Sequence, residues 1–149
     1  MKNLKDNTLL IIPTHLKETI LLSFCDELKN IKIMTDNEFI RSYYFDYDLE
    51  TIYYLMNKYK LKYEVVLIYL KNLYYVENKE YSNDKLNKLV EIKKELDERN
   101  LLKYKPLFLN KLKSMNIVFY NFYDLDKFYL NLIDNLKKIT NVEVINEEN

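Results

Sequence analysis

Between Pro13 and Thr19 the chain sets a hydroxyl (Thr14), an imidazole (His15), an ammonium group (Lys17) and a second hydroxyl (Thr19) directly after the apolar run Thr8–Ile12. A strand that turns straight into a helix is where α/β proteins commonly hold phosphate, because the first backbone N–H groups of the helix are free to donate. A P-loop at such a turn needs glycines and adjacent Lys and Ser/Thr residues. Here the chain contains no glycine, and Glu18 stands between Lys17 and Thr19 with a charge that opposes an anion. The residues Pro13, Thr14, His15, Lys17 and Thr19 therefore mark a degenerate P-loop position, with no bound cofactor expected, and Thr14 is expected to cap an ordinary helix.

Other residue types with catalytic potential are weaker. His15 is the only histidine, and no serine and carboxylate are spaced to make it the base of a nucleophile. Asp46, Asp48 and Glu50 would share one face of an extended segment, but Thr51, Ile52, Leu55 and Met56 start a helix at once. Asp48 then serves as its cap and Glu50 complements its dipole, so no metal site is expected. Glu91-Ile92-Lys93, downstream of Asp84, has the letters of a nuclease motif, which requires glutamate and lysine on one face of a strand. In a helix, residues two apart diverge, and Glu27-Leu28-Lys29 and Glu77-Asn78-Lys79 repeat the same letters. No catalytic residue is assigned.

The elements that must position these residues follow from apolar periodicity. Thr8–Ile12, closed by Pro13, reads as a buried parallel strand. Leu16, Ile20, Phe24 and Leu28 recur every fourth residue and form the stripe of a following helix, which carries the single cysteine, Cys25, on its apolar side. Residues 31–34 make a second strand, and Thr35-x-x-Glu38 is a capping box for a helix through Phe39, Ile40 and Tyr43. Two helices are expected between residues 43 and 75, a third through Leu86, Leu89, Val90, Lys93 and Leu96, and a short one near Pro106. Residues 117–120 form a third strand, Leu125 to Leu136 a helix, and residues 142–145 a fourth strand. The expected fold is α/β: a RecA/Rossmann-like parallel sheet of about four strands flanked by helices, with a Tyr-rich helical insertion. Residues 1–42 form its first half, 43–115 the insertion and 116–149 the second half. The last strand would need a further covering element, so a longer protein is expected.

Composition narrows the partners. The 149 residues include 23 basic and 23 acidic side chains, so no overall field draws the chain to nucleic acid or membrane. No apolar stretch approaches the ~20 residues that cross a bilayer, and one cysteine cannot staple the fold, so a soluble, cytoplasmic protein is expected. Alanine, glutamine and tryptophan are missing along with glycine, a bias expected of an AT-rich genome. Tyrosine is abundant, with 15 residues. Tyr63 and Tyr74 lie among Lys58, Lys60, Lys62 and Lys71, so these six are the candidates for contact with DNA or a partner. Helical spacing assigns most of the rings to packing, ranks a protein interface next and places single-strand binding third.

Residues Thr8–Pro13, Tyr43–Asp48 with Ile52–Met56, Lys71–Tyr75, Pro106–Phe108, Ile117–Tyr120 and Asp126–Tyr129 give the chain a resemblance over nearly its whole length. It resembles the amino-terminal region of helicase-nucleases of AT-rich bacteria, relatives of the B-type component of the ATP-dependent helicase/deoxyribonuclease, whose nuclease domain is of the PD-(D/E)XK type. The resemblance implies a helicase-like fold without ATPase motifs, serving DNA repair and recombination by contact with DNA or a partner subunit. Nuclease residues would lie downstream, and none is carried over to this chain. A stand-alone interaction module using the Tyr-rich block is the alternative reading.

Overall fold

The computed structural model describes Leu4, residues 6–23 and residues 31–147. Phe24, Cys25, Leu28 and the Glu27-Leu28-Lys29 triplet lie outside the described residues. The chain divides into two compact units, residues 1–43 with 105–149, and residues 44–104.

The first unit is the α/β unit. Its strands β1 (Thr8–Ile12), β2 (Lys32–Thr35), β3 (Asn116–Tyr120) and β4 (Val142–Ile145) form one parallel sheet in the order β2-β1-β3-β4. The Rossmann-like α/β architecture expected from the sequence is thus the one observed. Leu9 pairs with Lys32 on one side of β1 and with Ile117 on the other. Every residue of β1 is buried, which is why this central strand reads as an unbroken apolar run.

Successive side chains point to opposite faces of the sheet. Leu10, Ile12, Val118 and Tyr120 gather with Ile20 of α1 (Lys17–Ser23). On the other side, Phe119 meets Phe39 of α2 (Asp36–Tyr43) edge to face at 6.2 Å, and Phe39 meets Phe108 at 5.9 Å. Thr35 caps α2 by accepting the Glu38 N–H at 3.2 Å. The Glu38 carboxylate turns to Lys17, 3.5 Å away, in a half-exposed ion pair.

The second unit is helical, with α3 (Leu49–Tyr59), α4 (Tyr63–Asn72) and α5 (Asp84–Glu98). Asp48 caps α3 through the Thr51 N–H, and the buried Thr51 hydroxyl donates to the Leu101 carbonyl at 2.7 Å. Ile52, Leu55, Val66, Leu70, Ile92 and Leu96 form its core. The short helix at Pro106, α6 (Pro106–Leu112), belongs to the α/β unit because Phe108 joins the Phe39 cluster. The compact helical unit spans residues 44–104, with its boundary set by packing that aromatic spacing does not disclose. The last helix, α7 (Lys127–Lys137), is capped by Asp126 and returns the chain to β4.

Four described residues adopt left-handed φ: Asn7, Lys60, Asn100 and Asn121. Asparagine tolerates this region better than other residues with a β-carbon, so in a chain without glycine it takes three of the four positions.

Candidate functional site

Because β1 is followed by β2 on one side and β3 by β4 on the other, the sheet has a switch point between β1 and β3. Ligands of open parallel sheets gather beyond the carboxyl ends of the strands at such a point. In this chain those ends are Pro13–His15 after β1 and Asn121–Tyr123 after β3.

The first end is closed by a carboxylate. Pro13 is the N-cap of a 3-10 turn over Thr14–Leu16, and α1 begins only at Lys17. The expectation that Thr14 caps the helix is corrected. Its backbone N–H and its hydroxyl both donate to Asp36 Oδ1, at 3.0 and 2.6 Å, and Tyr129 of α7 donates to Asp36 Oδ2 at 2.9 Å. The reason is long-range: Asp36 follows β2, the strand beside β1, so its carboxylate reaches across the sheet edge to the first free N–H after Pro13. An internal anion thus takes a donor that a phosphate would use at such a turn.

The second end is also self-satisfied. Asn121 is buried in a left-handed conformation, with φ 62°. Its N–H donates to the Ile145 carbonyl and its Oδ1 accepts the Glu147 N–H at 2.8 Å. The Tyr123 hydroxyl lies 2.7 Å from the Glu147 carbonyl oxygen. Tyr120 donates to the Glu147 carboxylate at 3.1 Å, and burial followed by that hydrogen bond pushes its phenol up to about 12.

Of the sequence candidates, Thr14, His15 and Lys17 come together with Glu18, Leu21 and Leu22 around an open hollow of about 510 Å³. Pro13 and Thr19 are not in its lining. Among the described residues no group of His, Cys, Asp and Glu is placed to hold a metal ion. Asp46 accepts the N–H of Tyr47, Asp48 caps α3 and Glu50 is exposed. Glu91-Ile92-Lys93 lies on α5, as its helical periodicity requires.

The six contact candidates separate in the helical unit. Lys60, Lys62, Tyr63 and Lys71 are exposed. Tyr74 is turned inward, stacked on Phe45 at 4.3 Å and donating to the Phe45 carbonyl at 2.9 Å. Lys58 is paired with Glu95, a half-buried carboxylate that also accepts the hydroxyls of Tyr54 and Tyr59 and lies 4.0 Å from the Arg99 guanidinium. Burial, reinforced by the Glu91 charge, raises the Tyr59 phenol.

Asp36 and Tyr129, Asn121 and Glu147 are residues of this edge that sequence spacing does not single out. The signal that could have found them is positional: Asp36 and Asn121 are the first polar residues after their strands. No protein-family model matches the chain, and neither a curated protein nor a solved structure matches it. No helix among the described residues is long and apolar enough to cross a membrane.

Proposed function

We propose that this chain is a non-catalytic, helicase-like α/β domain of a DNA-repair helicase-nuclease, acting as a scaffold and as a contact for DNA or a partner subunit. The observation that carries the reading is the Thr14–Asp36 pair, in which a strand-to-helix turn keeps its place at the switch point while its first N–H serves the fold. The aromatic and strand residues that resemble the helicase-nuclease region supply the assignment to DNA repair.

Equilibrium titration with MgATP and with forked DNA tests it. MgATP should give no saturable binding, and forked DNA should bind weakly and lose affinity steeply with salt. Micromolar affinity for MgATP, or magnesium-dependent cleavage that survives purification, overturns the non-catalytic reading. A second reading, a protein-interaction module, is favoured by Leu49 and Tyr53, which lie one turn apart on α3 and are 58% and 55% exposed. Tight association with a partner chain and no DNA binding would select it.

A further inference from the structure

We infer that the groove between α4 and α5 is a binding site for single-stranded nucleic acid, with Tyr69 as the base platform and Lys85 and Lys88 as phosphate contacts. This rests on the DNA-contact reading above and places that contact on residues other than the exposed lysines of the α3–α4 turn.

The groove has a volume of about 440 Å³ and is lined by Tyr69 and Asn72 of α4 and by Lys85, Lys88 and Leu89 of α5. Tyr69 and Asn72 are three residues apart, as are Lys85 and Lys88, so each helix brings its pair to one face. Tyr69 and Leu89 pack against the core of the helical unit, which fixes the floor. Asn72 adds an amide that both donates and accepts.

Charge decides the class of ligand. Neither Lys85 nor Lys88 makes an ion pair among the described residues, although Asp84 and Glu91 lie on the same helix. The Lys88 ammonium instead sits 5.5 Å from the centre of the Tyr59 ring, which the Lys58 ammonium also approaches at 5.4 Å. Lys58 is neutralised by Glu95, whereas Lys88 and Lys85 keep their charge for an outside anion. Rings and ammonium groups thus alternate from Lys58 through Tyr59 and Lys88 to the groove. Sequence-tolerant binding of single strands requires this combination: cations track the phosphates and an aromatic face takes the base.

The test is fluorescence anisotropy with a labelled oligodeoxythymidylate on the full chain at low salt. Lys85→Glu with Lys88→Glu should weaken binding about tenfold or more and lower the salt slope by about 1.4, as expected when two phosphate contacts on a single strand are lost. Tyr69→Leu should weaken it about tenfold while Tyr69→Phe retains it, because the ring and not the hydroxyl stacks. Reversal of Lys111 and Lys113 at the end of α6 controls for net charge, and circular dichroism confirms that each variant folds. If the wild-type chain binds and the Lys85/Lys88 variant binds equally well, the groove assignment fails and the DNA-contact reading stands. If the wild-type chain does not bind the oligonucleotide or forked DNA, both fail.

Discussion

Asp36 and Thr14 are joined twice, the Thr14 amide and hydroxyl both donating to the same carboxylate oxygen. The pair links the segment after β1 to the residue after β2, and Tyr129 on the other carboxylate oxygen extends the link to α7. One side chain therefore ties three segments at the carboxyl edge of the sheet.

Asp36→Ala should lower the stability of the chain by on the order of 2 kcal/mol, because three donors lose one charged acceptor while part of the loss is made good by water. Asp36→Asn, which keeps an acceptor oxygen, should lose less. Urea unfolding measures both, and an alanine variant as stable as the wild type would show that the edge is held elsewhere.

The apolar elements were legible because their signals are local. Thr8–Ile12 is buried throughout and its composition says so, Asp48 caps α3 within three residues, and Lys93 lies on the apolar side of α5 with its ammonium 3.3 Å from the Val76 carbonyl oxygen. Burial lowers the Lys93 pKa, as expected of an ammonium brought to that side. Partners distant in sequence were not legible. Thr14 has every local property of a cap, yet it bonds to Asp36, 22 residues away. The groove was hidden for the same reason, since Tyr69 and Lys88 meet only through the packing of α4 on α5.

Glu95 should be a stabilising hub of the helical unit. Its carboxylate accepts both Tyr54 and Tyr59 and faces Lys58 and Arg99, so Glu95→Ala leaves two phenols and two cations without their acceptor. A loss of about 1–3 kcal/mol is expected from the hydrogen bonds to a charged group. Tyr54→Phe and Tyr59→Phe should each cost less, and a double-mutant cycle with Glu95→Ala should show coupling, whereas additive effects would overturn the network.

Tyr120 gives the α/β unit a stability that depends on alkaline pH. Its phenol titrates at about 12 in the folded chain against an ordinary value of 10, first because it is buried and then because it donates to Glu147. The folded state thus holds the proton longer than the unfolded state. The contribution is complete below pH 10 and is lost as pH rises through 12, amounting to roughly 3 kcal/mol at most. Tyr104 is also pushed up to about 12, by burial and its bond to Asp97, but it is 54% exposed and solvent screening reduces its effect. The stability difference between wild type and Tyr120→Phe should therefore shrink between pH 10 and pH 12. An unchanged difference would show that Tyr120 keeps no such proton.

Lys60 closes α3 in a left-handed conformation, φ 53° and ψ 46°, with its N–H on the Met56 carbonyl. At the other three left-handed positions among the described residues stands asparagine, whereas here a long side chain bears the steric cost, about 1 kcal/mol for a residue with a β-carbon. Lys60→Gly should raise stability by about 0.5–1 kcal/mol, the relief of strain outweighing the greater freedom of the unfolded chain. Lys60→Asn should recover part of that gain. Since Lys60 is exposed and outside the α4–α5 groove lining, neither change should weaken oligonucleotide binding by more than the loss of one peripheral charge, about twofold at moderate salt. Thermal unfolding and anisotropy on the same two variants separate the terms. A tenfold loss of binding would move the nucleic-acid contact to the α3–α4 turn, where charge and not backbone geometry would then account for the lysine.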